Sequence, residues 1–93
     1  MSVAIIGGNE RMEQHYIDVC KSHNCKVKVF TKPKGIREKI GNPDVVIFFT
    51  NTVSHKMTRQ ALSSIANSNP TIIRSHSSSI SSLKEILNKH FAQ

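Results

Sequence analysis

Tryptophan is missing from this chain, and only one tyrosine and four phenylalanines occur among its 93 residues. So few rings leave little with which to stack a run of bases or wrap a macrocycle. Acid is scarce too: six Asp and Glu stand against 13 Lys and Arg, for a formal charge of +7. Such an excess favours anionic partners without choosing among them. No stretch approaches the ~18–20 continuous apolar residues of a membrane span. The opening MSVAIIGG has neither a charged leader segment nor a small-residue cleavage site. No membrane association and a cytoplasmic location are therefore expected.

Cysteine is nearly as rare. Cys20 and Cys25, in CKSHNC, are separated by a gap of four residues that includes His23. A zinc site needs about four N or S ligands and redox pairs use a two-residue gap, so packed, reduced thiols are expected.

What is present is an alternation. VAIIGG at 3–8 is continuous and β-branched, as suits a strand buried on both faces. Met12, Tyr16, Val19, Cys20 and His23 then recur at helical steps. KVKVF at 26–30 alternates strictly, with Lys26 and Lys28 on one side, as an edge strand does when lysines deter pairing. A short helix carrying Ile36 and Ile40 leads to VVIFFT at 45–50, the most apolar strand. A third helix from Ser54 presents Met57, Ala61, Leu62, Ile65 and Ala66 and ends at NSNP. TIIR is a fourth strand, and a last helix follows with Ile80, Leu83, Ile86, Leu87 and Phe91 on one stripe.

Four βα units within 1–93 predict a single α/β domain: a four-stranded parallel sheet of order 2-1-3-4 with helices on both faces. A chain this short buries only ~60–65% of the surface its unfolded form exposes, so a second domain has no room.

That topology sends the polar residues to one place. In an open parallel sheet, ligands bind outside the carboxyl ends of the strands, where the strand order reverses. There stand GGNER, TNTVSH and RSHSSS. Gly7 and Gly8 allow close backbone approach, although no G-x-G-x-x-G or G-K-[ST] pattern follows. Asn9, Asn51, Thr52 and Ser54 can each brace a turn or cap a helix. Capping employs one of Ser77, Ser78 and Ser79 and leaves two in surplus beside a helix start, where an anion would be at home. His55 and His76 each follow a serine at a strand end, and both are expected to face the same crevice.

The rim offers only Glu10 as a carboxylate, because Asp44 precedes its strand. Ser-His pairs without an orienting acid make a hydrolase unexpected. Phosphoacceptor chemistry is excluded likewise, since Gly-Gly-Asn and Thr-Asn stand where an acidic pair and an Asp would be required. No catalytic residue is assigned.

The stretches SVAIIGGNERM, VIFFTNTVSHKM and RSHSSSISSL resemble the bacterial family catalogued as domain of unknown function 2325. The resemblance runs from Ser2 to about Leu87. It implies a small Rossmann-like or flavodoxin-like cytoplasmic (βα)4 domain in which Gly7, Gly8, Asn9, Asn51, Ser54, His55, Ser75, His76 and Ser77 gather at one site. It also raises haem as an alternative ligand.

The expected function is a noncatalytic, regulatory module that binds a small anionic ligand. Gly7, Gly8, Asn9, Asn51, Thr52, Ser54, His55, Ser75, His76, Ser77 and Ser78 form its candidate site. The fourth strand, at an edge and bearing little charge besides Arg74, suggests a homodimer. One alternative is a haem or metal protein using His55 or His76 as the iron ligand. The other is a basic nucleic-acid module: Lys26, Lys28, Lys32, Lys34, Arg37 and Lys39 lie within 14 residues that hold one acid, Glu38. With only Phe30 inside that patch, weak electrostatic attraction is the expected extent of it.

Overall fold

The computed structural model describes residues 1–91. Strands β1 (Ser2–Ile6), β2 (Lys26–Phe30), β3 (Val45–Phe49) and β4 (Thr71–Ser75) alternate with helices α1 (Glu13–Ser22), α2 (Ile36–Lys39), α3 (His55–Ser64) and α4 (Ile80–Phe91). The four strands form one sheet of order β2-β1-β3-β4, and every neighbouring pair is parallel. The predicted order and direction are both observed.

Side chains alternate across a strand, so the register sorts them into two cores. Val3 and Ile5 of β1 lie beside Val45 and Ile47 of β3 and face α1 and α4, where Tyr16, Cys20, Leu83 and Leu87 cover them. Ala4 and Ile6, beside Val46 and Phe48, face α2 and α3, where Ile36, Ile40, Met57 and Ala61 cover them. All five residues of β3 are buried, which requires a helix on each face. Full burial of one such Ile or Phe side chain contributes about 1.5–3 kcal/mol, which makes the centre of the sheet the chief source of stability.

The edges differ from the centre. In β2, Val27 and Val29 pack toward α1 while Lys26 and Lys28 remain exposed, and Lys28 Nζ donates to the Lys39 carbonyl at 2.6 Å. In β4, Ile72 is 38% exposed, and the Arg74 guanidinium stands 5.8 Å from the centre of the Phe48 ring.

Chain reversals follow from local chemistry. At the end of α1, Asn24 takes a left-handed conformation (φ 61°), with its N-H on the Lys21 carbonyl at 2.9 Å and the Cys25 N-H on the Cys20 carbonyl at 3.0 Å. This bond pair defines a Schellman ending, whose end residues meet apolar to apolar. Here those residues are Cys20 and Cys25, both buried and free. Burial, with Cys25 adding a smaller part, pushes the Cys20 thiol up to about 12. A packing role explains the pair.

Helix α3 stops at Ser64, earlier than the NSNP signal, and Ala66 is exposed rather than on the buried stripe. Ile65 remains buried as the residue that caps α3, four positions after Ala61 and on the same face, with its N-H still on the Ala61 carbonyl.

Candidate functional site

Because every strand points the same way, the segments after β1, β3 and β4 emerge side by side, and the structure ties them together. The Gly8 N-H donates to Thr52 Oγ1 at 2.6 Å, and that hydroxyl donates onward to the Phe49 carbonyl at 3.2 Å. Tyr16 Oη accepts from the Asn9 N-H at 3.4 Å and donates to the Ser78 carbonyl at 2.7 Å. The Thr50 N-H reaches the Ser75 carbonyl at 2.8 Å. Three loops are thus joined by direct bonds, with a buried tyrosine as the post shared by the loops after β1 and β4.

Tyr16 explains the second glycine. Gly8 has φ +90°, and a Cβ there would lie 2.8 Å from Tyr16 Cε2, closer than carbon atoms approach. Gly7, with φ +103°, sits against the Phe49 carbonyl and Thr52 Oγ1, each 3.1 Å from where its Cβ would stand. The close approach expected at the glycine pair is therefore to the protein's own groups. Sequence periodicity had assigned Tyr16 only to the apolar face of α1. Its ring does pack there, 5.4 Å from that of Phe49, while its hydroxyl does the joining.

The polar residues fall into two groups. Some are engaged locally: Asn9 Oδ1 accepts from the Arg11 N-H at 2.9 Å, and Ser54 Oγ caps α3 through the Met57 N-H at 3.2 Å. Ser79 Oγ caps α4 through the Ser82 N-H at 3.1 Å and receives the Ser77 hydroxyl at 3.1 Å. Ser75 Oγ donates to the Ser77 carbonyl at 2.8 Å. Each of these serines finds a partner close to it in sequence. The others stand open: Asn51, His55 and His76 are exposed, as is the hydroxyl-bearing Thr52 despite its bonds. His55 begins α3 and His76 directly follows β4, so they come after adjacent strands, β3 and β4. No three His, Cys, Asp or Glu side chains converge to hold a metal among the described residues.

A broad concavity lies beside this cluster, on the β2 side of the same rim. It measures about 1170 Å³ and runs from the loop at 31–35 and helix α2 across to the first turns of α3. Lys32, Lys34, Arg37, Lys39 and Lys56 line it together with Glu13 and Glu38, over a floor that includes Val29, Phe30 and Pro33. None of the rim residues expected from the sequence borders it. Four of its cations belong to the basic patch read in the sequence. The fifth, Lys56, is brought in from α3 and could be found only by folding the chain.

Its electrostatics favour an anion. Lys32 Nζ reaches Glu10 Oε1 at 3.4 Å, the one ion pair among the described residues, and both side chains are about two-thirds exposed. Lys34, Arg37 and Lys56 have no such partner among them. Lys56 and His55 occupy the first turn of α3, which contains no acid, although the positive end of a helix favours acids. No described helix is long and apolar enough to cross a membrane.

A family model described as an uncharacterized protein conserved in bacteria (DUF2325) matches residues 2–90. No match was found among curated proteins or among solved structures.

Proposed function

We propose, from the premise that the chain belongs to the bacterial family DUF2325, that it is a noncatalytic cytoplasmic module that binds a small anionic ligand at the carboxyl rim of its sheet, with a regulatory role. One observation carries this reading: loops from β1, β3 and β4 are bonded into a single rim that adjoins a groove lined by five cations. The exposed Asn51, His55 and His76 add donors and acceptors along the adjoining rim. The one ion pair among the described residues involves no histidine, so neither imidazole has the carboxylate partner that acyl-transfer chemistry uses.

A homodimer belongs to the same reading. Lys26 and Lys28 guard the β2 edge, whereas β4 presents Ile72 at a free edge where a second copy can add its own strand. Light scattering is expected to report twice the chain mass, and Ile72→Lys to halve it.

The test of ligand binding is native mass spectrometry with visible absorption on protein purified from its own host, followed by anion titration. A bound phosphate- or carboxylate-bearing molecule, released by Arg37→Ala, is expected. A Soret band lost on His55→Ala or His76→Ala would replace this reading with haem binding. Failure of every anion to raise the melting temperature above a chloride control of equal ionic strength would remove it.

A further inference from the structure

We infer that the groove between the β2–α2 loop and the first turns of α3 is the site of a compact ligand carrying two or more phosphate groups. The inference rests on the anion-binding reading and adds both a location and a ligand class. Its location lies outside the serine, glycine and histidine cluster.

The cations around this groove have little to do in holding the protein together. Lys32 is engaged by Glu10, and the Lys39 stem lies over Gly35, 3.6 Å from where a Cβ would stand. Lys34, Arg37 and Lys56 are left with no ion-pair partner among the described residues. Lys56 stands at the positive end of α3, where its charge opposes the helix dipole. These three come from the loop, from α2 and from α3, so they face the same space from different sides. Three cations on three separate elements suit a chain of phosphates, in which each added group can engage a further cation.

Shape narrows the ligand further. The volume of about 1170 Å³ is somewhat above the range of small-molecule sites, which runs from about 300 to 1,000 Å³. It has a mixed rather than uniformly basic wall: Glu13 and Glu38 stand among the cations and would repel a charged polymer laid across them. Phe30 is the only aromatic residue of the floor, and it is 7% exposed, too covered to stack a base. A compact phosphorylated molecule fits these facts better than a nucleic-acid strand does.

The test is titration calorimetry of the full chain at about 0.15 M salt, where long-range attraction is screened. The probes are orthophosphate, pyrophosphate, tripolyphosphate, ATP and a single-stranded oligonucleotide. Tripolyphosphate is expected to bind at least about tenfold more tightly than orthophosphate. The double variant Arg37→Ala, Lys56→Ala should lose at least about tenfold of that affinity. The double variant Lys84→Ala, Lys89→Ala removes equal charge from α4 and should lose less than about twofold. Circular dichroism checks that both remain folded. ATP that matches tripolyphosphate assigns recognition to the phosphates alone, and ATP that binds more tightly adds an apolar contact at Val29 and Pro33. Equal losses in the two double variants would reduce the effect to net charge and overturn the inference. So would an oligonucleotide that outbinds tripolyphosphate. Loss of tripolyphosphate binding in His76→Ala, Ser77→Ala but not in the groove variant would move the site to the serine cluster, leaving the anion-binding reading intact. No binding by any polyanion would remove both.

Discussion

The carboxyl rim has two halves that contrast in how they use polar groups. On the β1, β3 and β4 side, Gly8, Thr52, Tyr16 and Ser78 spend their hydrogen bonds on one another. On the β2 side, Lys34, Arg37 and Lys56 surround a space with charges that no ion pair neutralises among the described residues. One half holds its loops in place, and the other is the half proposed to receive a ligand. A cluster of polar residues in a sequence does not reveal which of these it is, because hydroxyls and amides serve both ends.

The largest expected effect distinguishes the halves at two glycines of similar backbone. Gly8 and Gly35 have φ of +90° and +88°, but only at Gly8 would a Cβ strike a ring. Gly8→Ala should cost roughly 2–4 kcal/mol in urea unfolding, from backbone strain together with overpacking. Gly35→Ala should cost only about 1 kcal/mol, from strain alone. Equal costs would mean that Tyr16 does not lock the closed half. Next in size is Tyr16→Phe, which leaves the Ser78 carbonyl and the Asn9 N-H without their partner. A loss of about 1–2 kcal/mol is expected, with the ring contact to Phe49 preserved.

A smaller effect lies at the opposite end of the sheet and serves as a control. His23 bonds to Asn88 Oδ1 through Nε2 and to the Val19 carbonyl through Nδ1, both at 3.0 Å. Two acceptors suit the doubly protonated ring, so the Asn88 bond first and the Val19 carbonyl second raise its pKa against weaker opposition from burial and Lys84. A raised folded value means that this stabilisation is complete below the unfolded pKa of about 6.5 and fades as pH climbs through the folded value. Comparing wild type with His23→Gln by urea unfolding at about pH 6 and pH 8 should show the wild type losing more stability on going up. Identical pH dependence would break the assignment. Smallest of all, Arg37→Ala should leave stability within about 0.5 kcal/mol, since its head group holds nothing in place. A larger cost would give the open half a structural task.

The fold was legible because every βα unit announced itself. Continuous β-branched runs marked β1 and β3 as central, and alternating lysines marked β2 as an edge, which is where they stand. The closing of the three loops followed from strand direction alone. What periodicity hid was the second use of Tyr16: its place on an apolar stripe says nothing of a hydroxyl 62 residues away from its acceptor in sequence. Lys56 was hidden for a related reason, since its charge joins the basic patch only after α3 packs beside α2. Ser79 capping α4 and Ser75 bonding to Ser77 show that a run of serines can be satisfied by its own turn, a possibility that composition does not rank.

The most direct measurement is a backbone amide NMR titration of the protein with tripolyphosphate. Shifts are expected to concentrate at residues 31–39 and 54–57 and to saturate, with the amino-end turns at 41–44 and 67–70 unmoved. Saturable shifts confined to those amino-end turns, or none anywhere, would contradict an anion site at the carboxyl rim.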